Sequence, residues 1–190
     1  MIISLLSACT ASTNSLIDSE TSPNIQIVED IGSDTVLVEY TLDNMERGKH
    51  DYYEQPIVIK QNIETKNLTR GSVVWFEDEI GEQKIARVVG VPNEKIEIED
   101  GQILINDQQL DSFYGSAHRA GLDKQEFLQA MKGSKSNYDE KAVQETFEKD
   151  LEKMSLDEKD YFLVSDDWFR GEMSVVEEKR ILGLVLGYGK

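Results

Sequence analysis

Asp100-Gly101 joins Ile96-Glu97-Ile98-Glu99 to Ile103-Leu104-Ile105-Asn106, and no other stretch of the 190 residues limits the fold so tightly. An Asp-Gly pair between alternating apolar residues suits the left-handed positions of a two-residue hairpin turn, whose twist matches that of the strands it joins. The alternation then puts Ile96, Ile98, Ile103 and Ile105 on one buried face and turns Glu97 and Glu99 to water. Upstream, residues 73–76 and 84–89 are β-branched runs separated by Gly81 and followed by Gly90-Val91-Pro92. Residues 70–106 are therefore expected to form an antiparallel meander.

The remaining chain supplies more strands and one change of period. Ile25 and Ile27 alternate, as do Val36, Val38 and Tyr40 after the turn at Gly32-Ser33-Asp34. Residues 41–54 are polar and read as a loop. Residues 55–60 form the next strand, with Pro56 marking an edge or a first position. Beyond Leu110, Leu122, Phe127, Leu128 and Met131 recur at helical spacing behind the cap candidate Asp123. Ala142, Val143, Phe147, Leu151 and Met154 do so again after a loop at 133–137. The β pattern resumes at Tyr161-Phe162-Leu163-Val164 and closes over residues 180–188. The expected fold class is mainly β with a two-helix insertion, an antiparallel sheet or partly closed barrel core. It divides into a β domain of residues 25–110 and 160–190 and an insertion of residues 111–159.

With 37 acidic against 20 basic residues and a formal net charge of -17, the chain lacks the cationic surface that phosphate-backbone binding demands, so no nucleic-acid partner is expected. One cysteine and the two histidines His50 and His118 provide no cluster at metal-ligand spacing, and no metal or cofactor is expected. The cysteine itself is informative. Leu6-Ser7-Ala8-Cys9 follows Ile2, Ile3 and Leu5 and resembles the lipobox at which bacterial lipoprotein signals are cut and the cysteine is lipidated. Polar residues 10–24, rich in Ser and Thr, then read as a flexible tether. Together they predict a signal and tether over residues 1–24 and a protein held by a lipid on Cys9 at the outer face of a bacterial cell membrane.

Several motifs, taken together, resemble the type I signal peptidase family, peptidase family S26. Arg70-Gly71-Ser72-Val73-Val74-Trp75-Phe76 matches its Gly-Asp-Ile-Val-Val-Phe-like strand. Ala86-Arg87-Val88-Val89-Gly90-Val91-Pro92 matches its Lys-Arg-Val-Ile-Gly-x-Pro segment, and the Asp-Gly hairpin follows. Asp43-Asn44-Met45 falls where the family has Ser-Met, Ser165-Asp166-Asp167-Trp168 where it has Gly-Asp-Asn-Arg, and Gly183 at its closing Ile-x-Gly. The resemblance implies a signal-peptidase-like sheet and the chemistry of a serine hydroxyl deprotonated by a desolvated lysine.

Carried over by position, the nucleophile is Asn44 and the base is Ala86, neither of which can act. Arg47 stands where the family has proline, and Met173-Ser174-Val175 replaces Asp-Ser-Arg. The leading expectation is therefore an inactive member whose surviving groove, around Met45, Arg87, Asp166 and Asp167, binds an extended polypeptide or a membrane-bound protein. One alternative is a working serine endopeptidase with a displaced dyad of Lys84 and either Ser72 or Ser174. Another is a structural surface module. His50 or His118 in a serine triad and calcium at Asp166-Asp167 lack the spacing that either chemistry needs.

Overall fold

The computed structural model describes residues 14–134 and 137–190. Among these residues, thirteen strands and two α-helices follow in chain order. The first six strands are β1 (Ser15–Ile17), β2 (Ile27–Val28), β3 (Thr35–Tyr40), β4 (Gln55–Lys60), β5 (Val73–Glu77) and β6 (Gln83–Gly90). Next come β7 (Lys95–Glu99), β8 (Gln102–Ile105), β9 (Gln108–Asp111) and the helices α1 (Lys124–Ser134) and α2 (Glu140–Phe147). The chain ends in β10 (Leu151–Ser155), β11 (Asp160–Val164), β12 (Met173–Glu177) and β13 (Ile181–Gly189).

The strands form two open sheets, in the orders β1-β9-β8-β7-β10 and β12-β11-β6-β5-β13-β4-β3, with β2 beside β13. The expected mainly β fold with a two-helix insertion is present, but the core is not a partly closed barrel. The hairpin is present as well. Ile96 faces Ile105 and Ile98 faces Ile103, and all four are at most 1% exposed. What fails is the continuous meander, because β6 pairs with β5 and β11 while β7 pairs with β8 and β10. The chain changes sheets just after Gly90, where an added Cβ would press on Ile96, Leu156 and Phe162. A glycine thus lets the two layers close onto one core of Val89, Ile96, Ile98, Ile103, Ile105 and Phe162.

Three further expectations are corrected. Leu151 and Met154 belong to β10, opposite Ile98 and Ile96, and not to a helix. β4 lies between β3 and β13, so Pro56 marks the start of an interior strand and not an edge. Residues 14–24 are not a loose tether. β1 runs parallel to β9, the Asp18 carboxylate accepts from Thr21 N (3.1 Å), Thr21 Oγ1 (2.6 Å) and Tyr114 Oη, and β2 runs parallel to β13. Cys9 and the rest of the lipobox lie outside the described residues. No helix among the described residues is long and apolar enough to cross a membrane.

The helices close a small core of their own, in which Phe127, Val143 and Phe147 pack with Ala117 and, at its border, Trp168. Asp139 caps α2 by accepting from Lys141 N and Ala142 N, satisfying two of the donors that open a helix.

Candidate functional site

The site forms where β6 lacks a neighbour. β5 pairs with β6 from Gln83 to Arg87, whereas β11 reaches only Arg87 to Gly90, so one edge of β6 is bare around Ile85. Side chains take the place of the missing strand. Ile85 N donates to Tyr40 Oη (3.2 Å), Tyr40 Oη donates to Asn44 Oδ1 (2.7 Å), and Asn44 Nδ2 donates back to Ile85 O (2.9 Å). Asn44 Nδ2 also donates to Ser165 Oγ (3.0 Å), which accepts Glu172 N as well (3.2 Å). Every member of this ring is buried, and burial pushes the Tyr40 phenol up to about 12. The Asn44 amide is consumed by holding the 41–51 loop to β6 and to the loop after β11. Ala86, 2% exposed, turns its methyl into an apolar cluster of Val74, Phe76, Val88, Leu163 and Ile181.

A buried ion-pair frame stands beside the ring. Arg87 grips Asp166 bidentately, Nε to Oδ1 at 2.7 Å and Nη2 to Oδ2 at 2.5 Å, and its Nη1 donates to Gly71 O (2.8 Å). Asp166 N donates to Met45 Sδ (3.4 Å). Asp167 accepts from the backbone N–H of Ala120 (3.0 Å), Phe169 (2.9 Å) and Arg170 (3.1 Å), while burial raises its carboxyl above the usual range. Trp168 N donates to His118 O (2.9 Å), so the loop that leads into the helices is tied directly to the site.

Met45, Arg87, Asp166 and Asp167, expected to line a groove, are at most 6% exposed. They are frame residues, because a buried guanidinium and carboxylate are costly unless each satisfies the other. A hollow of about 380 Å³ lies beside β3, lined by Val36, Val38, Ile59, Trp75 and Leu182 together with the polar Gln61, Asn62 and Gln83.

The other candidates fall elsewhere. Lys84 lies 2.6 Å from Asp78 and 3.1 Å from Glu172, and the bond to Asp78 holds its ammonium above the usual lysine range. Ser174, in β12, borders the same surface hollow as Lys84. Ser72 sits beyond the Val73–Arg87 pair, at the opposite end of the β5–β6 ladder from Lys84, with its hydroxyl 3.3 Å from that of Thr69. His50 is exposed, and His118 Nδ1 donates to Ser116 O (2.8 Å).

Comparison with known proteins bears on this geometry. Residues 30–172 match the family described as Signal peptidase, peptidase S26. The chain belongs to this family. A solved signal peptidase I from Enterococcus faecalis V583 is similar at 19% identity and a TM-score of 0.43, covering 62% of this chain and 96% of that one. No curated protein matches.

In this S26 member, sequence reasoning missed Tyr40 and Ser165. The available signal was Ser165, which stands where the resemblance puts a glycine and supplies the hydroxyl that Asn44 uses. Tyr40 gave no signal beyond its place in an alternating strand.

Proposed function

We propose that this S26 protein binds extended polypeptide without cleaving it, from a lipid anchor on Cys9 at the outer face of the cell membrane. One observation carries the reading: the Asn44 amide is closed in a ring with Tyr40, Ile85 and Ser165, and the adjoining position holds the Ala86 methyl. An amide is no nucleophile at neutral pH and a methyl accepts no proton, so the pair supplies neither half of serine–lysine chemistry. Loss of such a unit costs about a millionfold in turnover. Lys84 does not replace the base, since its partners Asp78 and Glu172 favour the ammonium.

Binding has better support. The hollow beside β3 has apolar walls in Val36, Val38, Ile59, Trp75 and Leu182, and β3 is the outermost strand of its sheet, an arrangement that accepts an extended peptide through main-chain bonds and alternate side chains. A lipid on Cys9 would concentrate the domain near other membrane-held chains.

The decisive assay gives a preprotein reporter to the full chain, to Lys84→Ala and to Asn44→Ser/Ala86→Lys. The wild type is expected to leave the reporter intact. Wild-type cleavage that disappears with Lys84→Ala would establish the displaced dyad instead. Extended apolar peptides are expected to shift Trp75 fluorescence, and silence at millimolar peptide would leave only a surface module. Fatty-acid labelling should mark the wild type and spare Cys9→Ser.

A further inference from the structure

β12 is the outermost strand at the other end of its sheet from β3, and no strand lies beyond it among the described residues. At the two ends of its ladder with β11, Ser165 N donates to Glu172 O (3.0 Å) and Glu178 N to Lys159 O (2.8 Å). In an antiparallel pair such bonds recur at alternate residues, so Met173, Val175 and Glu177 turn their own N–H and C=O groups to the open side. Beside this edge lies a hollow of about 540 Å³, bounded by the tip of the β5–β6 hairpin. The tip is fixed, because the Asp78 carboxylate accepts from Ile80 N (3.0 Å) and Glu82 N (2.8 Å) and also meets Lys84 Nζ. Ile80 is thereby held out to water on a rigid turn, and Val175, in β12, is 42% exposed.

The two faces of the edge differ. Ser174 lies opposite Leu163, which lies opposite Val88, so Glu172, Ser174 and Val176 share the face of Lys84 and Ala86 while Met173 and Val175 share the other. On the first face acid is in excess. Lys84 lies 2.6, 3.1 and 3.7 Å from Asp78, Glu172 and Glu82, and Glu79 and Arg180 are the other charged groups at the hollow. Four carboxylates thus stand against two cations. The charged residues that adjoin β12 in sequence do not redress this, since Glu177 and Glu178 pair with Lys179 and Lys159, and Arg170 with Asp43 and Asp167.

We propose that the β12 edge receives an extended polypeptide segment in which basic and apolar residues alternate. Its main chain bonds Met173, Val175 and Glu177, its Lys or Arg side chains meet Glu172 and Glu79, and its apolar side chains cover Val175. A strand with period two matches one acidic and one apolar face. A second copy of this chain fits worse, because pairing β12 with β12 sets the acidic edges of two molecules of net charge -17 side by side. The site shares no lining residue with the hollow beside β3 and does not rest on the binding proposed there.

The test titrates the full chain with acetyl-Lys-Val-Lys-Val-Lys-amide, acetyl-Glu-Val-Glu-Val-Glu-amide and acetyl-Lys-Ser-Lys-Ser-Lys-amide, followed by the backbone amide shifts of β12 and β3. The first peptide is expected to bind at millimolar concentration and to shift Met173, Val175 and Glu177. The others should bind about tenfold more weakly, one for its charge and one for its lost apolar cover. Glu79→Lys should weaken the first peptide about tenfold, whereas Glu99→Lys in β7, which alters the net charge equally, should not. Val175→Pro removes an N–H that β11 does not use and should abolish binding, and Val175→Lys should weaken it with the backbone intact, each at an unchanged urea midpoint. Equal binding of the three peptides, equal weakening by the two charge changes, or shifts confined to β3 would each overturn the proposal. So would a dimer that buries β12 and that the first peptide fails to displace. Trp75→Ala should leave this binding unchanged, so failure of the β3 hollow and failure of this edge give different results.

Discussion

Asn44 joins three separate stretches of the chain through one amide. Its side chain bonds the Ile85 carbonyl on the bare edge of β6, and it also satisfies Tyr40 Oη and Ser165 Oγ. Asn44→Ala removes those bonds inside a region where water does not replace them, leaving buried groups unpaired at about 1–3 kcal/mol each and not fully additive. The expected loss is about 3 kcal/mol in urea unfolding at unchanged slope. Asn44→Ser, whose hydroxyl is shorter than the amide by one atom, should recover only part of it. A variant as stable as wild type would mean that the ring contributes nothing, and Asn44 would then be free to be read as a residue awaiting substrate. The neighbouring pair behaves differently. Arg87 and Asp166 are both nearly unexposed, so removing either strands a buried charge.

At the scale of elements, the N-terminal arm is the least expected part of the fold. β1 adds to β9 through three residues, Leu16 packs against the core of the five-stranded sheet, and Asp18 gathers Thr21 and Tyr114. A chain cut to begin at Ile25 loses all of this, and should unfold at lower urea by about 2 kcal/mol while keeping the β4–β6 and β13 sheet. Amide exchange resolves the outcome, since β9 should lose protection and β5 should keep it.

None of this arm was legible, because Ser15-Leu16-Ile17 is too short to show a period and its pairing is made by backbone alone. The helical reading of Leu151 and Met154 failed for a related reason. A register shift between them sets two residues of β10, Glu152 and Lys153, against one of β7, Glu97, so an i, i+3 spacing that looks helical brings both side chains to one sheet face. The hairpin at Asp100-Gly101 was legible because turn and strand signals are both local. At the site, motif order singled out Asn44 and Ala86. The ring could not, since Asn44 meets Ile85 and Ser165 across 41 and 121 residues.

At the scale of the whole molecule, the docked arm fixes how a lipid on Cys9 would orient the domain. Six residue steps separate Cys9 from Ser15, the start of β1, a reach of about 20 Å at full extension. Anchorage there, which rests on the proposed lipidation, holds the β1–β9 edge close to the bilayer. Thr21 lies against Gly71 at the start of the β5–β6 hairpin, and Ile80, 80% exposed, stands at its far tip, about 25 Å further along the strands. The net charge of -17 repels an anionic surface within a Debye length of about 8 Å at physiological salt, so the domain should stand off rather than lie flat. A fluorophore at Asp111→Cys, in β9, is therefore expected to be quenched by headgroup-borne quencher several-fold more than one at Ile80→Cys, with Cys9 occupied by lipid in both proteins. Equal quenching would mean that the arm detaches from β9 when the chain is anchored. Stronger quenching at Ile80 would reverse the orientation and put the bare edge of β6 nearer the membrane than the N-terminal arm.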